Sequence, residues 1–461
     1  MLRSVFAVFL ALAFGSLHAE SLGLQAKLYS PLRNAPPWNG NPSYPAESYF
    51  GTQLSVSGST AAIAEREPFG TLRIRLYERD GNGQWSAQHE ILPPADLSSS
   101  LQASFGHKYV LDGDRLAVAL QANPSNPLII LFEKAGGAWQ ESARILAQPY
   151  IALNGSFGQG GLGLSGDTLA VGSPGAVQGA LGVVHVFVRQ GATWALQQVV
   201  SESDPYPAAN FGDSLRLQGD RLVVNRPGAQ FQQHVSSGVY VFDRLAGVWG
   251  QQAKITVPAG GAAFAGYFGV SLALDGDRLA IPDQEMRDVG GSGYPFDVVR
   301  VYERNGNGQW PLVASLDTGA VHQGNPSPTL SIALRDTRLL IGETYLNTDL
   351  AAGRTPGIRL FEFGVGGWSD ARRIEPYDWA TGWGGDSPID YGVEFGRTIA
   401  FDDAGAALVA AHLDAQPRPF SFNVNPPGAV YLLTDSVGLF CDGFEANGPR
   451  CDGAPLASPP Q

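Results

Sequence analysis

Residues 268–281 read FGVSLALDGDRLAI. Phe-Gly opens the stretch, apolar residues then alternate with small ones up to a polar Asp-Gly-Asp step, and a second apolar run follows. Near copies begin at Phe50, Phe105, Phe157, Phe211 and Phe395. The usual separation is about 55 residues, which marks a repeat architecture in which each unit buries its apolar faces against its neighbours. The wider interval from Phe268 to Phe395 holds two units, because Leu330–Gly342 (LSIALRDTRLLIG) is the same hairpin without its Phe-Gly. The count is therefore seven.

Each unit reads as four short strands. Lys108–Asp112 and Arg115–Leu120 form a hairpin across Gly113, Leu128–Glu133 is a third strand, and Trp139 opens a fourth through Ile145. The first hairpin returns as LSGDTLAV from Leu164, LQGDRLVV from Leu217 and LDGDRLAI from Leu274. Gly and Asp tolerate the positive φ of such tight turns. The third strand returns as LRIRLYE from Leu72, GVVHVFV from Gly182, GVYVFD from Gly238, VVRVYE from Val298 and GIRLFE from Gly357. Its period of two and its β-branched and aromatic residues suit a strand packed on both faces. A tryptophan follows each time, at 85, 139, 194, 249, 310 and 368, and reads as a packing anchor between units.

Four-stranded units repeated radially describe an all-β, seven-bladed β-propeller, which leaves no long free sheet edge once the ring closes. The seventh unit has a hairpin from Phe395 and a third strand at Gly428–Leu433, but no Trp and no fourth strand. LQAKLYSP from Leu24 resembles QQAKITVP from Gln251, the fourth strand of the fourth unit. Leu24–Tyr29 is therefore expected to pair with Gly428–Leu433 and seal the ring, with Val437–Phe440 the competing edge strand. The expected organisation is a signal peptide over 1–19, a propeller over 20–433 and a tail over 434–461. An insertion at Pro376–Tyr391 carries Trp379 and Trp383 off the repeat register.

A formal net charge of −13 on 461 residues argues against nucleic acid and anionic membrane surfaces as partners, since both reward cationic patches. Arg3, the apolar run Val5–Phe14 and Leu17-His18-Ala19 have the form of a cleavable secretory signal, too short to span a bilayer. The sequence is thus expected to be exported and, with no later stretch apolar enough to insert, to act as a soluble monomer outside the cytoplasm. The two cysteines, Cys441 and Cys451, are expected to close the loop CDGFEANGPRC as a disulfide, with free thiols as the alternative.

Phe-Gly, an apolar hairpin, then VGSPGA at Val171 or VNRPGA at Val224, then GVYVF: this pattern resembles the FG-GAP repeat of integrin α chains and of many secreted bacterial proteins. The resemblance spans roughly residues 22 to 433 and implies a cell-surface or extracellular propeller that binds or adheres through loops on one face. It departs from the family where integrin-type repeats carry a calcium loop of spaced aspartates. Here Leu111-Asp112-Gly113-Asp114 is a minimal turn, which cannot wrap the six to eight oxygen ligands calcium takes, so no metal or cofactor is expected.

Phe211-Gly212-Asp213-Ser214-Leu215 matches the nucleophile block of GDSL-type esterases. It lies in register with FGVSL and FGTQL, and no His has an Asp three residues before it, so the repeat accounts for it. No G-x-S-x-G elbow, H-E-x-x-H helix or P-loop occurs. The expected function is a non-enzymatic binding or adhesion module for a protein or glycan. The alternative is a glycan-active hydrolase or lyase with carboxylates converging in the central channel. The candidate binding surface is the set of loops between second and third strands, among them Asp283–Phe296 and Glu343–Thr355, with Asp283, Glu285, Tyr294 and Tyr345 as candidate ligand-binding residues.

Overall fold

The computed structural model describes residues 22–29, 50–66, 72–121, 127–148, 150, 156–177, 181–205, 210–227, 237–257, 268–321, 331–343, 357–374, 395–411 and 429–435. They form seven antiparallel sheets of four strands each. Blade I comprises Leu54–Ser57, Thr60–Arg66, Leu72–Arg79 and Trp85–Ile91. Blade II comprises Tyr109–Asp112, Arg115–Leu120, Leu128–Ala135 and Ala138–Leu146. Blade III holds Leu162–Ser165, Thr168–Val177, Leu181–Gln190 and Thr193–Val200. Blade IV holds Leu215–Gln218, Arg221–Arg226, Gly238–Leu245 and Val248–Ile255. Blade V runs Ala273–Asp275, Arg278–Val289, Ser292–Glu303 and Leu312–Val321. Blade VI runs Ile332–Arg335, Arg338–Glu343, Gly357–Gly364 and Gly367–Ile374. Blade VII takes Thr398–Phe401, Ala407–Ala411 and Ala429–Asp435 from its own unit and Leu22–Leu28 from the other end of the chain.

Alternation along the strands gives every blade two apolar faces, and each face is buried against the next blade. Leu116 and Val118 of blade II, for instance, pack on Ile74 and Leu76 of blade I, while Ala117 and Ile129 on the opposite face join Leu169 and Phe187 of blade III. The repeat's Phe is the wedge at six of the seven boundaries, all but that between blades V and VI: Phe50, Phe105, Phe157, Phe211 and Phe268 are wholly buried and Phe395 nearly so. The glycine after it must take positive φ, and a side chain there would strike the preceding blade. At Gly396 (φ +92°) a Cβ would lie 2.8 Å from Ile358 Cγ2. Of the expected tryptophan anchors, Trp249 and Trp310 are buried, whereas Trp85, Trp139, Trp194 and Trp368 are half-buried at the margins of the interblade clusters.

The Asp-Gly turns do more than reverse the chain. The side chain before each turn glycine accepts the backbone N–H of the next blade's turn. Ser57 Oγ takes Gly113 N–H (2.9 Å), Asp112 Oδ2 takes Gly166 N–H (2.6 Å), Ser165 Oγ takes Gly219 N–H (3.0 Å) and Gln218 Oε1 takes Gly276 N–H (2.8 Å). Asp275 Oδ2 takes the N–H of Asp336 (2.5 Å), which holds the glycine's position in blade VI at φ +49°. Arg335 then donates to the Asp403 carbonyl of blade VII (2.8 Å). A hydrogen-bonded belt therefore runs from blade to blade on the turn side.

The ring closes as expected. The inner strands contact one another in succession, and that of blade VII meets that of blade I. Leu22–Leu28 pairs antiparallel with Ala429–Asp435, from Leu22 opposite Asp435 to Leu28 opposite Val430. Leu28 is buried with Phe50 and Val430, Tyr77 of blade I donates its hydroxyl to the Tyr29 carbonyl (2.6 Å), and the Lys27 ammonium sits 4.3 Å over the Tyr431 ring. Val437–Phe440, the signal segment, the two cysteines and the 376–391 insertion lie outside the described residues.

Candidate functional site

One register position distinguishes the blades. Where the second strand leaves the core, its last inward residue meets a third-strand residue on the face toward the preceding blade. The pair is apolar in blade II, as Leu120 and Ile130, and both side chains belong to one apolar cluster. Blade VII has Ala411 and Tyr431, again in one apolar cluster, and in the other five blades the same two places are polar. Blade I has Glu65 and Arg75, blade V Asp283 and Arg300, and blade VI Glu343 and Arg359. Blade III has Ser173 and His185, and blade IV has Arg226 and Tyr240.

The acid–arginine pairs are closely satisfied. Arg75 donates to both Glu65 oxygens at 3.0 Å and to Glu90 at 2.8 Å; burial opposes its charge, but these acids raise its pKa. Glu343 accepts from Arg359 Nε (2.8 Å) and Arg373 Nε (2.7 Å). In blade III the buried Ser173 Oγ lies 3.2 Å from His185 Nδ1. The ring is enclosed by Tyr150, Phe157 and Phe187, and burial lowers its pKa to about 4 despite a hydrogen bond to the Tyr150 backbone. This Ser–His contact is sealed from solvent, so it cannot present a nucleophile to a substrate.

Blade V is where this position becomes a surface. Asp283–Phe296, expected to be a loop, is a β-hairpin arm. Its second and third strands stay in register from Asp283 opposite Val298 to Val289 opposite Ser292. They turn on Gly290 (φ +66°) and Gly291 (φ +87°), the two positive φ values of a tight I′ hairpin. The six residues past Asp283 carry the arm roughly 20 Å at a strand's rise per residue. The fourth strand follows for part of that length, with Val321 opposite Phe296.

A chain of charges fixes the base of the arm. Arg300 Nε donates to Asp283 (2.7 Å) and its Nη2 to Glu285 (3.1 Å). Arg287 binds Glu285 (3.1 Å) and Asp317, and its guanidinium lies 4.7 Å over the Phe296 ring. Asp283 is buried, and desolvation outweighs Arg300 to hold its pKa above the usual carboxylate range. Glu285 is partly exposed and Val289, near the tip, is 52% exposed. The structure thus joins two of the sequence candidates, Asp283 and Glu285, through a shared arginine. The Tyr294 side chain and Tyr345 lie outside the described residues.

The central channel was the second place where acids could have converged. Among the described residues no group of three His, Cys, Asp or Glu could share a metal ion. At the Phe-Gly end stand Lys108, which donates to the Gln159 and Gly160 carbonyls (2.6 Å each), and Asp213. Desolvation lowers the pKa of Lys108 and raises that of Asp213, and each charge partly offsets the effect on the other. Arg216 follows on the inner strand of blade IV. Away from both places, a groove of about 760 Å³ on the outer side of blades IV and V is lined by Lys254, Tyr302, Arg304 and Trp310.

Sequence reasoning missed the polar register position, although its trace was present. LRIRLYE, VVRVYE and GIRLFE each carry an arginine in the middle of a buried strand, with an acid at the end of the strand before it.

No protein-family model matches the chain, and no curated protein matches it. Solved structures do match, at low identity. The periplasmic gluconolactonase PpgL of Pseudomonas aeruginosa is 13% identical, with a TM-score of 0.41 over 70% of this chain and 85% of that one. The β-propeller domain of the Trilobed protease from Pyrococcus furiosus, described as having an open velcro topology, is 10% identical, with a TM-score of 0.42 over 79% and 91%. A hypothetical selenium-binding protein from Sulfolobus tokodaii is 11% identical, with a TM-score of 0.39 over 72% and 91%. None of the three lends this chain a function. The chain is a seven-bladed β-propeller closed by its own N-terminal strand.

Proposed function

We propose that this protein is a binding module that holds a protein or glycan ligand against the face carrying the blade V arm. The observation that supports the reading is the arm itself. A hairpin that leaves its blade, is braced by Asp283, Arg300, Glu285, Arg287 and Asp317, and carries Val289 into solvent is a stiff projection rather than a slack connection. Pre-ordered projections lose little conformational entropy on binding, which is how a modest contact area yields useful affinity. Glu285 and Tyr294 are proposed as ligand-contacting residues of the arm, with Asp283 holding its base and Tyr345 contributing from blade VI. The FG-GAP resemblance supports a role outside the cytoplasm. The proposal includes export with cleavage after Ala19 and a Cys441–Cys451 bridge, both checked by the intact mass of the secreted chain before and after reduction.

The test is a glycan and protein-partner screen on the mature protein beside a variant whose residues 285–294 are replaced by a two-residue turn. The expected result is a ligand held by the parent and lost by the shortened form at unchanged melting temperature. A ligand retained at equal affinity would remove the arm from the binding surface.

A further inference from the structure

Aligned by their pairing with the second strands, the seven inner strands share one tier of the channel wall. Its residues are Ser55, Val110, Gly163, Ala273, Ala333 and Ala400 in six blades and Arg216 in blade IV, opposite Ala62, Ala117, Ala170, Ala280, Leu340, Leu408 and Val223 respectively. The other six side chains are small, and Val110, Ala273, Ala333 and Ala400 turn into the clusters between blades; blade IV alone places a long charged side chain at this level of its inner strand. The residues flanking Arg216, Leu215 and Leu217, pack in the cluster between blades III and IV, so the alternation of the strand turns Arg216 away from that cluster.

Arg216 as a whole residue is solvent-exposed. Desolvation nonetheless lowers its pKa. The two observations agree for a side chain in a wet channel whose walls replace bulk water. Its one hydrogen bond among the described residues runs from Nη1 to the Leu215 carbonyl, 2.9 Å. Nε and Nη2, which together form one edge of the fork, have no partner there. A desolvated guanidinium with a free edge is the side chain best suited to a planar or tetrahedral oxyanion. Lys108 adds a second positive charge toward the Phe-Gly end, partly offset by Asp213.

We propose that the central channel is an anion-binding site in which Arg216 receives a small oxyanion, a carboxylate or a phosphate, entering past Lys108 from the Phe-Gly face. The site is separate from the blade V arm, so either can fail without the other.

Titration calorimetry on the full mature chain at low ionic strength provides the test, with sodium galacturonate, sodium phosphate and neutral galactose as probes. At least one anion is expected to bind one-to-one and to weaken with added sodium chloride, and galactose is expected to give no heat. Which anion binds identifies the source of the oxyanion. Arg216→Ala places in blade IV the residue that blades V, VI and VII already carry, so its melting temperature should match the parent while anion affinity falls tenfold or more. Arg216→Lys should retain part of the affinity. The arm-shortened variant should bind the anion as the parent does. Absence of binding by either anion, equal affinity in Arg216→Ala, or galactose binding as well as galacturonate would overturn the proposal.

Discussion

In blade II, Leu120 and Ile130 meet across the second and third strands inside an apolar cluster. In blade V the same two backbone positions carry Asp283 and Arg300, and the strands continue past them into the arm. The backbone admits either pair, so the fold does not select the charge. The apolar pair stabilises its blade by leaving water. The ionic pair must first offset the desolvation of two charges, and often ends near zero or worse against well-packed apolar residues. A buried pair that contributes so little to stability is better explained by orientation, since Arg300 ties the blade to Glu285 at the root of the arm.

The largest break of this comparison is Arg300→Ala. It strands Asp283 without its cation and should lower unfolding free energy by about 3–5 kcal/mol in urea titrations. A loss below 1 kcal/mol would show that Asp283 is not a closed ion-pair partner. Next is blade III, where the equivalent partner is His185. Its folded pKa of about 4 lies below the ordinary histidine value of 6.5, so the unfolded chain takes up its proton first. Stability is full above about pH 6.5, declines as pH falls, and levels off near pH 4, a loss on the order of 3 kcal/mol. Equilibrium unfolding of the parent and of His185→Leu across that window checks the sign, since the variant should lose less.

A smaller effect is expected when blade V is given blade II's pair. Asp283→Leu with Arg300→Ile should be neutral or stabilising by about 1–2 kcal/mol, yet amide exchange should quicken along residues 284–296. Unchanged exchange would mean that the charges do not brace the arm. The smallest concerns the turn belt. Asp336 holds at φ +49° a position that glycine fills in the five preceding blades, so Asp336→Gly should gain no more than about 1 kcal/mol. A loss would show that its side chain matters more than its backbone.

The ring was legible in the chain because repetition averages out local ambiguity. Six hairpins with the same two-residue turn, a seventh with a longer one, and a closing strand that resembles Gln251–Pro258 leave few alternatives. The arm was not. PDQEMRDVGGSGYPFDVV has too many polar residues to advertise a strand, because both faces of a projecting hairpin meet water; only Gly290-Gly291 hinted at a turn between paired segments. The tryptophans show the opposite bias. Their periodic spacing suggested uniform anchors, but an outermost strand has a neighbouring blade on each side only near its inner margin, so four of the six remain half-buried. Arg216 was hidden by success, since its stretch, FGDSLRLQGD, had been accounted for as one more copy.

Leu22–Leu28 and Ala429–Asp435 are almost as far apart in sequence as two segments of this chain can be, yet they are neighbours in one sheet. Synthesis delivers the first long before the second. Until the last of blade VII leaves the ribosome, six finished sheets must wait with two unmatched edges, each able to recruit a strand from another molecule. The final fastening is therefore also the slowest contact to form, because it closes the longest loop.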